Sequence, residues 1–336
     1  MLSISKNHIP SLKNILLWGG VLLALCIITG QVIYNKHLSG QVSKLQSELS
    51  YQQEELTDAL RQRCAASSVK ESSTTSQFTI ESSGGVRSYA VHTPAQYTYN
   101  TRTPAVIIFS GKGGTGAEFQ YTTDFKNQPV LSIYPEPLKD KDGITAWQGA
   151  PYSPEGVSDV YFVGDVIKQV SKDYCIDPAR IYTVGMSNGG GIAWLSACYL
   201  SDTIAATASI SGAYYQKYQH CPASKRPVPV LAVHSRTDTQ VPYAGNAKRG
   251  LIPIDTWITE RAKANQCQPT PDIEKSAEFT VTTWQKCKKN ATIELLTLTN
   301  KQHGWMDLPD LSSDPNIDEG NLTNYIWEFL RSLVLY

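Results

Sequence analysis

The sequence predicts an α/β domain, a mostly parallel sheet flanked by helices, behind an apolar N-terminal helix and a helical stalk. Three observations carry that prediction. Apolar runs of strand length alternate with amphipathic stretches of helix length, the pattern of a parallel sheet covered on both faces. One such pair encloses the tight turn Gly185-Met186-Ser187-Asn188-Gly189, with a β-branched run before it and a helical stretch from Ile192 to Cys198 after it. Two later strand-like runs each end in a polar residue suited to partner a serine: Asp238 after the first and His303 after the second.

Charge and composition narrow the function classes. The 336-residue chain holds 30 Lys+Arg against 30 Asp+Glu, so no basic surface argues for nucleic acid. No paired-cysteine zinc spacing occurs, and neither a metal nor a cofactor is expected.

Taken in order, residues 1–14 are a polar tail. Residues 15–34 are apolar apart from Thr29 and Gln31, long enough to span a bilayer as an anchor; a cleaved signal peptide is the competing reading. Residues 35–64 read as a helical stalk, with Leu38, Val42, Leu45, Leu49, Gln52, Leu56 and Ala59 alternating by four and three. Gln52 interrupts this short heptad stripe, so weak self-association stands beside a solitary solvated helix. Residues 65–77 form a Ser/Thr-rich linker, and 78–336 the main domain.

Within the domain, Phe78–Glu81 and Ser88–His92 suggest a hairpin around Gly84-Gly85, and Pro104–Phe109 a buried strand. The loop Ser110-Gly111-Lys112-Gly113-Gly114 is glycine-rich, but Gly113 follows Lys112 where a nucleotide-binding loop needs Ser or Thr. The next strand is Pro129–Tyr134. A helix then runs from about Ser158 to Lys172, with Val160, Val163, Ile167 and Val170 on one face. The Ser187 turn follows: side chains at Gly185 and Gly189 would collide with the strand and helix, and the turn exposes the hydroxyl. Ala205–Ile210, Val228–His234 and Thr292–Leu298 are the remaining strands, and 325–333 is a closing helix. The insertion Tyr243–Ala291 separates the Asp238 and His303 strands, so it is expected near the rim that carries them. Its middle, Ile254–Ala264, reads as a helix burying Ile254, Trp257, Ile258 and Ala262.

Several stretches in order carry a family likeness: Trp147-Gln148-Gly149-Ala150-Pro151-Tyr152, Ser158-Asp159-Val160, Tyr174-Cys175-Ile176-Asp177, Gly185-Met186-Ser187-Asn188-Gly189-Gly190, Val233-His234 through Asp238, and Asn265-Gln266-Cys267. Over roughly residues 78–336 the chain resembles the feruloyl esterase and polyhydroxybutyrate depolymerase-like esterases of carbohydrate esterase family 1. The resemblance implies an α/β-hydrolase fold and a serine esterase with Ser187 as nucleophile, His303 as base and Asp238 as its orienter. It implies an oxyanion hole from the backbone N–H groups of Asn188 and of Lys112 or Gly113. Trp147, Tyr152 and Trp305 are candidates to contact an aromatic acyl group or a sugar ring. The family usually has His-Gly where this chain has Ser110-Gly111, and again His-Gly where it has His234-Ser235.

The likeness also suggests disulfides, Cys267–Cys287 across the insertion and Cys198–Cys221, with Cys175 left over or competing with one of these, and hence an oxidising side of the membrane. The expected substrates are feruloyl or acetyl esters of a polysaccharide or a small aromatic ester. A polyester depolymerase and a tethered non-catalytic binding module are the competing readings.

Overall fold

The computed structural model describes residues 36–52, 71–222, 226–309 and 321–335. The apolar segment 15–34, residues 53–64 of the stretch read as a stalk and residues 65–70 of the linker lie outside them. Among the described residues, no helix is long and apolar enough to cross a membrane. The chain divides into two units, 1–61 and 62–336. In the first, residues 36–52 are helical (α1), and Leu38, Val42, Leu45 and Leu49 of the heptad stripe are exposed.

The second unit is built on a ten-stranded sheet in the order β1-β2-β4-β3-β7-β8-β9-β12-β11-β10. Its first strands, β1 (Thr75–Ser82) and β2 (Gly85–His92), form the expected hairpin, with Phe78 opposite Tyr89. β1 takes in the last three residues of the stretch read as linker. The central strands are parallel: β3 (Thr103–Phe109), β4 (Leu131–Pro135), β7 (Ile176–Met186), β8 (Ala206–Ile210), β9 (Val230–Ser235) and β12 (Ile293–Leu298). Buried on both faces, they read as near-continuous apolar runs, which is why the sequence exposes them. A separate two-stranded ribbon, β5 (Leu138–Lys139) with β6 (Thr145–Ala146), follows β4.

Helices cover both faces. α3 (Asp159–Asp173), α4 (Asn188–Tyr199) and α5 (Ile254–Ala264) pack on one, around Phe162, Trp194 and Trp257. α2 (Gly116–Thr122) and α6 (Leu322–Arg331) pack on the other, around Phe119, Ile326 and Trp327. Ser158 caps α3, its hydroxyl accepting the Tyr161 N–H. α5 has the expected bounds and buries Ile254, Trp257, Ile258 and Ala262.

The insertion departs from expectation in two ways. It contributes two antiparallel strands, β10 (Asp272–Lys275) and β11 (Phe279–Trp284), that extend the sheet beyond β12. All four β10 residues are exposed, so no alternating apolar pattern announces it. Second, only parts of the insertion meet the carboxyl rim. There the Ile254 N–H donates to Tyr243 O, and Glu278 O accepts the Thr299 N–H. The Cys267–Cys287 bridge lies at the opposite edge. The neighbouring Asn265 amide donates to Val228 O at 2.8 Å and Ala291 O at 2.9 Å, just before β9 and β12 begin. Cys198–Cys221 forms as expected, and Cys175, left over in the pairing, is disulfide-bonded too.

Candidate active site

The site grows from the turn between β7 and α4. Ser187 has φ 57° and ψ −121°, a conformation that costs a non-glycine residue energy and persists only where the surroundings fix it. Three hydrogen bonds help to fix it. Its N–H donates to Ile210 O at 2.8 Å, and its carbonyl accepts from Gly190 at 3.0 Å and Ala213 at 3.0 Å. The flanking glycines are sterically required. A Cβ on Gly185 would lie 2.1 Å from Gly189 O, and one on Gly189 would lie 2.4 Å from Phe109 O. The Asn188 side chain is locked to the Trp147 backbone, accepting its N–H at 2.7 Å and donating to its carbonyl at 3.2 Å. The Asn188 backbone N–H opens α4, where an N–H has no partner inside the helix.

Asp238 follows β9 and is buried. Its Oδ1 accepts the N–H groups of Gln240 at 2.9 Å and Val241 at 2.8 Å, and its Oδ2 accepts His303 Nδ1–H at 2.7 Å. Burial alone would raise this carboxyl. The His303 bond, the Val241 N–H and the neighbouring imidazoles outweigh it and hold the group below its ordinary value. His234 stands behind, its Nε2 donating to Val241 O at 2.8 Å and 3.5 Å from Asp238 Oδ2. Burial lowers this second imidazole's pKa and favours its neutral form. The His303 turn meets the serine turn through Ser211, which follows Ile210 and donates its hydroxyl to Gly304 O at 3.4 Å.

The glycine-rich loop lies against the serine: a Cβ on Gly111 would sit 3.4 Å from Ser187 Cβ. Of its two candidate oxyanion donors, Gly113 is ruled out, because its N–H donates to Thr145 O at 2.8 Å. Lys112 is the other candidate. Its ammonium sits 4.2 Å over the Tyr152 ring and 3.4 Å from Asp140 Oδ2.

The three candidate substrate contacts separate. Trp147 is fully buried, its indole N–H donating to Ser110 O at 2.9 Å and its ring edge-on to Phe109, so it cannot stack on a ligand. It holds the glycine-rich loop and Asn188 instead. Trp305 is half-buried against Phe125, at 6.3 Å between ring centroids. Tyr152 is half-buried, edge-on to Tyr215, and also lines a cleft of about 670 Å³ with Leu138, Asp142 and Pro154. Burial first, and Tyr215 second, raise its phenol pKa, so it remains protonated.

Sequence reading missed the hydroxyls of Ser235 and Thr237, which reach the loop before His303. The signal was the serine standing where the resembled family has glycine. Among the described residues, no group of His, Cys, Asp and Glu side chains could hold a metal ion.

No family model matches the chain. It is similar to feruloyl esterase B of Piromyces equi, 29% identical over 230 residues, covering 65% of this chain and 42% of that protein. Feruloyl esterase D of Neurospora crassa is 26% identical over 200 residues, covering 57% and 64% respectively. A bifunctional acetylxylan esterase/xylanase of Neocallimastix patriciarum is 25% identical over 230 residues, covering 66% and 31%. The chain thus spans between 31% and 64% of these relatives' lengths. Among solved structures, acetyl xylan esterase from Aspergillus awamori aligns with a TM-score of 0.49 at 14% identity, covering 68% of this chain and 94% of that one.

Proposed function

We propose that this chain, related to the feruloyl and acetylxylan esterases and built on an α/β-hydrolase fold, is a serine hydrolase of carboxylic esters. The observation that carries the reading is the short His303–Asp238 bond at the strand ends beside the strained Ser187 turn. Asp238 holds the His303 tautomer with Nδ1 protonated, which leaves Nε2 as the base. His303 takes the Ser187 proton as the hydroxyl attacks the ester carbonyl. The N–H groups of Asn188 and Lys112 receive the oxyanion. His303 then protonates the leaving alcohol and, in the second half-reaction, activates the water that releases the acid.

The finer reading is of feruloyl or acetyl esters on a polysaccharide. The named relatives support that substrate class, with Tyr152 and the cleft beside it as the wall met by an aromatic acyl group or a sugar. The apolar segment 15–34 anchors the protein, the domain lies on the oxidising side where its disulfides persist, and α1 belongs to a stalk whose stripe allows weak self-association. The test is turnover of p-nitrophenyl acetate and methyl ferulate beside a peptide panel, for wild type and Ser187→Ala. Ester turnover lost in the variant supports the proposal. Peptide cleavage alone, or a variant as active as wild type, contradicts it.

A further inference from the structure

We propose that Ser235 is a positioning residue of the catalytic apparatus, its hydroxyl and that of Thr237 clasping the Asp238 turn to the His303 loop. This inference rests on the esterase reading. Ser235 ends β9 and is fully buried. It is also the last residue paired in the parallel ladder, opposite Leu298. Beyond it Thr299 is held from the β11 side, its N–H donating to Glu278 O at 2.8 Å, and the β9 side has only side chains to reach the chain that leads to His303.

The two hydroxyls take over. Ser235 Oγ accepts the Lys301 N–H at 2.9 Å and the Thr237 N–H at 3.3 Å, and lies 3.2 Å from Thr237 Oγ1. Thr237 Oγ1 donates to Lys301 O at 3.1 Å. Each hydroxyl has one proton. With the Thr237 proton on Lys301 O, the Ser235 proton goes to Thr237 Oγ1, and a ring closes: Lys301 N–H to Ser235, Ser235 to Thr237, Thr237 to Lys301 O. Both backbone polar groups of Lys301 are therefore held from the Asp238 side, two residues before the imidazole. A glycine at 235, as in the resembled family, would leave the Lys301 N–H without this acceptor. Here side-chain hydrogen bonds fix the distance between the loops that carry the base and its orienter, on which the 2.7 Å His303–Asp238 bond depends.

The experiment uses the full chain as wild type, Ser235→Ala, Thr237→Val and the double variant. It reads kcat and KM on p-nitrophenyl acetate, the melting temperature, and the downfield NMR resonance of the His303 Nδ1 proton. The clasp predicts a kcat lower by about tenfold in Ser235→Ala, with KM within about twofold. It predicts a broadened Nδ1 resonance, and a double variant little worse than the worse single one, because both hydroxyls belong to one ring. A folded Ser235→Ala that keeps wild-type kcat and a sharp resonance overturns the proposal. So does a loss matched by the unfolded fraction, with kcat per folded molecule unchanged. If the wild type turns over no ester, the esterase reading fails by itself, and the resonance comparison still decides whether the clasp holds His303 on Asp238.

Discussion

The two edges of the parallel sheet are held by different means. At the carboxyl edge, Ser187, Asp238 and His303 sit on three separate connections, fixed by single hydrogen bonds of 2.7–3.3 Å and by a strained backbone. At the amino edge, Asn265 ties the starts of β9 and β12 together, and a covalent bridge joins Cys267 to Cys287 beside it. The rim has several groups whose loss disturbs geometry without emptying a core. The opposite edge has groups whose loss loosens the chain far from the chemistry. The comparison predicts that activity and stability separate by edge.

The largest expected effect is at the rim. Ser187→Ala should lower kcat for p-nitrophenyl acetate by about a thousandfold or more, with an unchanged melting temperature. A comparable fall in melting temperature would break the separation. Asp238→Asn should lower kcat by about a hundredfold or more by favouring the wrong His303 tautomer, while KM changes little, as steady-state kinetics will show.

Cys267→Ser reverses the pattern. It should lower stability by about 2–4 kcal/mol in urea melts and leave kcat within about twofold. A large fall in kcat at full occupancy of the folded state would show that the staple reaches the site after all.

The smallest effect concerns Glu294, the second residue of β12, whose carboxylate accepts the Tyr325 hydroxyl at 2.6 Å. Burial raises this carboxyl above its ordinary value of 4.5, and the Tyr325 and Thr283 hydrogen bonds offset only part of that rise. The folded chain therefore holds the proton more tightly than the unfolded chain. The stability is fully present below pH 4.5 and declines as pH rises through the folded-state value. Glu294→Gln should flatten that decline in melting temperature between pH 4.5 and neutrality, with kcat unchanged. An unaltered pH slope would show that Glu294 is not its source.

The same contrast explains what was legible in the sequence. The Ser187 turn could be read because the glycine spacing around the serine is itself a local pattern: Gly185 is demanded by Gly189 four residues on, although Gly189 is demanded by the distant Phe109 and Ser110 carbonyls. α5 could be read to the residue because Ile254, Trp257, Ile258 and Ala262 keep helical spacing. Asp238 and His303 were placed by their positions after apolar strands. Properties set by distant chain segments were not legible. Trp147 looked like a ligand contact, but Phe109 and Ser110 O close around it. Gly113 looked like an oxyanion donor, but Thr145, on the small ribbon, takes its N–H. The staple was assigned to the rim because an insertion between two rim residues seemed bound to stay there. α5 instead carries the chain the length of the sheet before Cys267.

The central claim is that Ser187, activated by His303 on Asp238, forms the acyl enzyme. Mixing the protein with p-nitrophenyl acetate, quenching in acid within the first turnovers and mapping the digest by mass spectrometry tests it most directly. The account predicts one acetyl group, on the peptide that carries Ser187, and none when His303 is replaced by Ala. Continued ester turnover with acetyl on another residue, or on none, would contradict it.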